Sequence, residues 1–244
     1  MFRFDNRILY LFLIIFILTN IVQNVTNENF LLNLVLTLPA VLIAITFHEF
    51  AHAWAADKLG DDTPRNQGRL TLNPVAHLDP IGTVLLVFAG FGWGKPVQVN
   101  PRNYNRNMSM SKADALVSFA GPAMNFVLAI VFMIVLYAIA TFAPSFILTQ
   151  MGMIVFTLVK ITVSINLGLG IFNLIPLPPL DGSKILAHFL PINAKVWMQE
   201  HEYYFYIGFL LIWMTGLAGI IISPIINGAY SLINVLVGAI FKLF

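Results

Sequence analysis

The sequence predicts an all-α, multi-pass membrane protein with about six transmembrane helices and a small re-entrant β-hairpin between the second and third. Three observations predict it. Of 244 residues, 59% are hydrophobic and 10% charged, and the mean hydropathy is +0.84; a soluble domain is nearer half apolar and a quarter charged. Apolar runs recur at lengths close to the roughly 20 residues that a helix needs to cross a bilayer. The basic residues gather in alternate loops, as they do on a cytoplasmic face.

The first run, 8–22, follows Arg3 and Arg7 and lacks a small-x-small cleavage site, so it reads as a retained signal anchor. The second and third runs are 31–56 and 113–142, and the fourth is 146–175. The fifth and sixth, 203–222 and 225–241, are divided only by Ser223-Pro224, and proline in a long apolar stretch predicts a tight hairpin there. Lys58, Arg65, Arg69, Lys95, Arg102, Arg106 and Lys112 lie between the second and third runs, and Lys184 and Lys195 between the fourth and fifth. With Arg3, Arg7 and Lys242 at the ends, six crossings put both termini on the cytoplasmic side of the cell membrane. The whole chain, 1–244, reads as one membrane-embedded domain. Its core is about 31–190, with peripheral helices at about 8–22 and 203–241.

The long loop after the second run divides in two. "GRLTLNPVAHLDPIGT" is rich in turn formers, and His77 within it reads as a turn or surface histidine. "VLLVFAGFGWGKPVQVNP" begins apolar and then alternates over Lys95, Pro96, Val97, Gln98 and Val99, which predicts the re-entrant hairpin. Irregular backbone survives at membrane depth only where protein or a wet cavity covers it.

The polar residues inside the apolar runs carry the chemistry. A net charge of +2 gives no footing for nucleic acid. The absence of cysteine leaves His, Asp and Glu as candidate metal ligands. "HEFAH" sets His48 and His52 four residues apart on one helix face, the spacing at which two imidazoles hold one zinc ion, with Glu49 placed as general base. The plain alternative is polar glue between helices, but three ionisable groups within five positions of a membrane helix are costly and mark function. A third ligand is required. Asp181, in the proline-rich "NLIPLPPLDGSK", is preferred to its alternative as a helix N-cap, because a divalent cation compensates a buried carboxylate. The predicted second and fourth helices both run inward, so the two halves of the site fall on one side. Lys160, within the fourth run, has no role in this scheme.

These residues resemble the site-2 protease family of intramembrane zinc metalloproteases, peptidase family M50, over about 31–190. "HEFAH" matches the family's first motif, "FAGPAMN" its middle-helix pattern, "NLIPLPPLDG" its last signature and "GWGKPVQVNP" its re-entrant segment. The resemblance implies one zinc ion per chain on His48, His52 and Asp181, and Glu49 as catalytic acid and base. It implies Asn173 as a donor to the developing oxyanion; the alternative for Asn173 is a helix cap. The expected substrate is the transmembrane or juxtamembrane segment of another membrane protein, contacted by Asn125, whose alternative is close helix packing with Gly121, and, through β-augmentation, by Lys95 to Val99. No nucleic-acid partner is expected, and the oligomeric state is left open. The rival from another class is a zinc transporter or metal-binding membrane protein, which would have no need of a glutamate at position 49.

Overall fold

The computed structural model describes residues 6–89 and 92–242. In chain order the helices are α1 (Asn6–Val25), α2 (Phe30–Lys58), the single turn α3 (Thr63–Asn66), α4 (Pro80–Ala89), α5 (Met110–Phe142), the single turn α6 (Pro144–Ile147), α7 (Gln150–Asn173), α8 (Asp181–Phe189), α9 (Ile192–Glu200), α10 (Glu202–Met214) and α11 (Leu217–Phe241). Among them α2, α5, α7 and α11 are long and apolar enough to cross a membrane. The chain is a multi-pass, helical membrane protein.

The centre is a three-helix packing of α2, α5 and α7. Along α2 the row Ala40, Ala44, His48, His52 and Ala56 is buried at every fourth position. Small side chains let a second backbone come close, so the two imidazoles stand in a seam otherwise lined by alanine. Further along α5 the contact becomes larger and wholly apolar: Ala129, Met133 and Leu136 meet Val159, Val163 and Leu167 of α7 and Val237 of α11. Ser109 and Thr149 start α5 and α7 by accepting hydrogen bonds from Lys112 N and Gly152 N, as N-cap hydroxyls do. Outward faces carry exposed Leu31, Val35, Val127, Ile130, Ile134 and Ile154, the composition that lipid contact requires.

The loop between α2 and α5 is ordered around Asp61. Its Oδ1 accepts from Thr63 N (3.1 Å), Thr63 Oγ1 (2.5 Å) and Asn103 Nδ2 (3.0 Å), and its Oδ2 from Asn100 N (2.6 Å). Burial alone would raise this carboxyl's pKa, but these donors hold it below the usual carboxylate range.

Two expectations are corrected. Residues 95–99 form no hairpin; among the described residues there is a single antiparallel bridge, Leu78 to Gly94, because Lys95 to Val99 lie against the loop and α2 rather than against a second strand. The helix does not break at Ser223-Pro224. It breaks at Thr215-Gly216, where Gly216 takes φ +74°, and α11 runs through Pro224 as one helix. As a result α11 lies parallel to α5, with Tyr137 Oη 3.1 Å from Asn234 Oδ1 and the Phe241 ring 6.2 Å from that of Phe142. The end of α11 and the metal-binding residues therefore lie toward opposite ends of α5.

Candidate metal centre

His48 and His52 project one turn apart from the inner seam of α2. His48 Nε2 and His52 Nε2 are 3.0 Å apart, and each is 3.2 Å from Asp181 Oδ2. Both histidines are buried, and the Asp181 side chain is 18% exposed. Asp181 reaches them because the chain doubles back after α7. A Cβ at Gly182 would sit 2.5 Å from the Ile175 carbonyl oxygen, so the Asp-Gly pair combines a ligand with the residue that permits the fold-back. Asp181 is the first residue of α8 and makes no capping bond; Leu180 occupies the cap position.

The ring tautomers follow from the outer nitrogens. His48 Nδ1 is 2.7 Å from Asn125 Oδ1, and His52 Nδ1 is 2.7 Å from the Val117 carbonyl oxygen. Both partners accept only, so each Nδ1 donates its proton, and in the neutral ring, the form that binds a metal, each Nε2 turns a bare lone pair inward. Those lone pairs converge on Asp181 Oδ2, a buried oxygen with no hydrogen-bond donor. Three acceptors in one place repel unless a cation lies among them. Tetrahedral zinc with bonds of about 2.0–2.1 Å separates its ligands by roughly 3.3 Å, and the observed spacings fit.

Asn125 does not face a substrate. It is fully buried and donates through Nδ2 to Ala44 O (3.1 Å) and Asn166 Oδ1 (3.0 Å). Its place is behind His48, as an orienting group. Gly121 closes the other side: a Cβ there would come within 2.6 Å of His52 Cε1 and 2.7 Å of His48 Cε1. Asn166, also fully buried, was not singled out in the sequence, although an asparagine within an apolar run was the signal available.

Glu49, next to His48 on α2, reaches the loop. Its Oε2 accepts from Val97 N at 2.9 Å. Lys95 N donates to the His77 carbonyl at 2.8 Å, and Gln67 Nε2 donates to Gln98 Oε1 at 3.0 Å. His77 is fully buried, not at the surface, and its Nε2 lies 2.8 Å from Thr71 O; burial pushes its pKa down. Arg69, also missed, is buried and donates to the carbonyls of Ala76 and Lys95. Asn173 donates to Leu169 O one turn back, at 3.0 Å. Lys160 sits on the exposed face of α7 and forms no ion pair among the described residues.

Comparison with known proteins places this geometry in context. The profile of peptidase family M50 matches residues 36–215. The Bacillus subtilis (strain 168) protein named "Putative zinc metalloprotease YwhC" is 40% identical over 210 residues, covering 86% of this chain and 92% of that protein. Rip2 of Mycolicibacterium smegmatis, given the same description, is 27% identical over 197 residues, covering 79% of this chain and 69% of its own. No solved structure matches the chain.

Proposed function

The chain belongs to peptidase family M50, and from that premise we propose how this zinc-dependent intramembrane protease holds its metal, activates water and receives its substrate. His48 and His52, through Nε2, and Asp181, through Oδ2, would hold one zinc ion. The observation that carries this assignment is the convergence of three proton-free acceptors at 3.0–3.2 Å. Bound there, zinc supplies Lewis acidity, polarising the scissile carbonyl and lowering the pKa of the attacking water.

The remaining steps belong to the chain's own residues. Glu49 takes the proton of the attacking water and returns it to the leaving amide nitrogen. Its Oε2 is held by Val97 N–H, so Oε1 is the oxygen presented for proton transfer. Asn173 uses one amide proton on Leu169 and has a second with which to meet the developing oxyanion. A helical substrate hides its carbonyls in its own hydrogen bonds and must be locally extended before attack. Lys95, Pro96, Val97, Gln98 and Val99 offer extended backbone beside Glu49 against which such a segment pairs. The substrate is the transmembrane or juxtamembrane segment of another membrane protein.

Five crossings, α1, α2, α5, α7 and α11, account for the arrangement. The site opens toward the basic loops, on the cytoplasmic side, and the end of α11 lies on the other side. At 13 residues, α10 is about 20 Å long, too short for a hydrocarbon core of about 30 Å.

The test is Glu49→Gln in purified protein, reconstituted with a membrane-protein substrate. The variant is expected to keep one zinc per chain and to lose cleavage by at least about a thousandfold, in the range for a positioned general base combined with its return of the proton. Retained cleavage would remove Glu49 from the reaction.

A further inference from the structure

Arg69 is a buried cation that no carboxylate pairs directly among the described residues. Its relative exposure is 4%, its Nε has no hydrogen-bond partner, and no ion pair involving it occurs among the described residues. Lone buried charges are expensive and persist where they serve a purpose. Its two terminal nitrogens bind the carbonyls of Ala76 and Lys95, so one guanidinium ties the turn at Pro74–His77 to the extended segment. Three further contacts repeat that register: Lys95 N to His77 O at 2.8 Å, the bridge from Leu78 to Gly94, and the packing of Gly94, where a Cβ would meet Ile45 Cγ2 of α2 at 2.6 Å. Two residues beyond Lys95, Val97 N–H reaches Glu49 at 2.9 Å. Glu49 is also an acidic group close enough to act electrostatically on Arg69.

We infer that Arg69 is a positioning residue: by clamping the Ala76 and Lys95 carbonyls it sets the register of residues 94–99 against α2, and through Val97 it orients the Glu49 carboxylate. The inference rests on the proposed roles of Glu49 and of residues 95–99. Arginine suits the task because its planar fork binds two acceptors at once and keeps its charge when buried. The same clamp serves both substrate and base, since the edge that receives an extended segment is the edge that fixes Glu49.

The chain has no cysteine, so Gln67→Cys with Gln98→Cys makes a unique reporter pair at a contact of 3.0 Å. In the otherwise unaltered protein this pair is expected to cross-link readily with a short bifunctional thiol reagent. Arg69→Met should lower the cross-linking yield several-fold and kcat/KM by about a hundredfold, the penalty for misplacing reacting groups by about 1 Å. KM should rise and kcat should fall together, with zinc retained at one per chain. Arg69→Lys, which keeps the charge but not the fork, should fall between the two and carries the test if the Met variant does not fold. Unchanged cross-linking in the Lys variant and in any folded Met variant would overturn the inference, as would reduced cross-linking with wild-type cleavage. Cleavage by Glu49→Gln would instead overturn the mechanism on which it rests, and the cross-linking readout does not depend on that result.

Discussion

Asn125 Oδ1 stands 2.7 Å from His48 Nδ1, and this one contact decides which nitrogen of His48 faces the metal position. The asparagine cannot turn over, because its Nδ2 is engaged by Ala44 O and Asn166 Oδ1. Val117 O does the same for His52 from one face of the same helix. Thus α5, which contributes no ligand, sets the chemistry of both imidazoles. Orienting partners of this kind are as much a part of a metal site as its ligands.

Asn125→Leu should therefore weaken zinc binding by about 10–100-fold, while Asn125→Asp, which keeps an acceptor, should weaken it less. Competition against a chelating dye in detergent measures both. Wild-type affinity in the Leu variant would mean that packing alone orients His48.

Gly121→Ala places a methyl group 2.6 Å from His52 Cε1, and the nearest atoms belong to rings that cannot move without leaving the metal position. Zinc stoichiometry should fall well below one per chain. Gly170→Ala is the control: its Cβ would meet Asn125 Cβ and Phe126 Cζ at 3.3 Å, a tight contact that should leave zinc bound. Equal zinc content in the two variants would contradict a special role for Gly121.

The contrast between what could and could not be foreseen has a physical basis. The grouping of His48, His52 and Asp181 was legible because ionisable groups are rare in apolar runs and the i, i+4 spacing implies one helix face. Asn125 was noticed but misassigned: a pattern reveals that a polar residue is present, not whether it faces a cavity or a neighbouring ring. Arg69 and His77 were hidden because they lie in a loop full of polar residues, where burial leaves no periodic mark. The false break at Pro224 has a simple cause. A membrane helix tolerates proline where neighbouring groups absorb the lost hydrogen bond, whereas Gly216 supplies the left-handed turn that ends one helix and starts the next.

Asp61→Asn tests the loop that carries the extended segment. Asparagine offers one acceptor oxygen where the carboxylate uses two, so Asn100 N–H or the Thr63–Asn103 group loses its partner. The cost should be about 1–3 kcal/mol near neutral pH, read as a lower unfolding temperature. The folded carboxyl titrates below its ordinary range, so its stabilisation is full above the ordinary carboxylate pKa and is lost as pH falls through the lowered value. The difference between wild type and variant should therefore shrink below about pH 4. A difference independent of pH would assign the effect to shape rather than charge.

The last prediction concerns the C-terminal helix. With 25 residues, α11 is about 37 Å long and crosses once. Its pairing with α5 is parallel, since Asn234 meets Tyr137 and Phe241 meets Phe142. Gly121, beside the metal ligands, is about 30 Å from Phe142 along the same helix. Lys242 is then expected to emerge on the side opposite the loop that holds Gln67. One lysine there is a weak topological signal against the seven basic residues between the second and third apolar runs, which is why counting charges alone favours the other side. Single cysteines at Gln67 and Lys242, labelled by a membrane-impermeant maleimide in sealed vesicles of known orientation, should react from opposite faces. Labelling from the same face would require α10 and α11 to cross as a pair, and with it a different path for the chain around the catalytic helices.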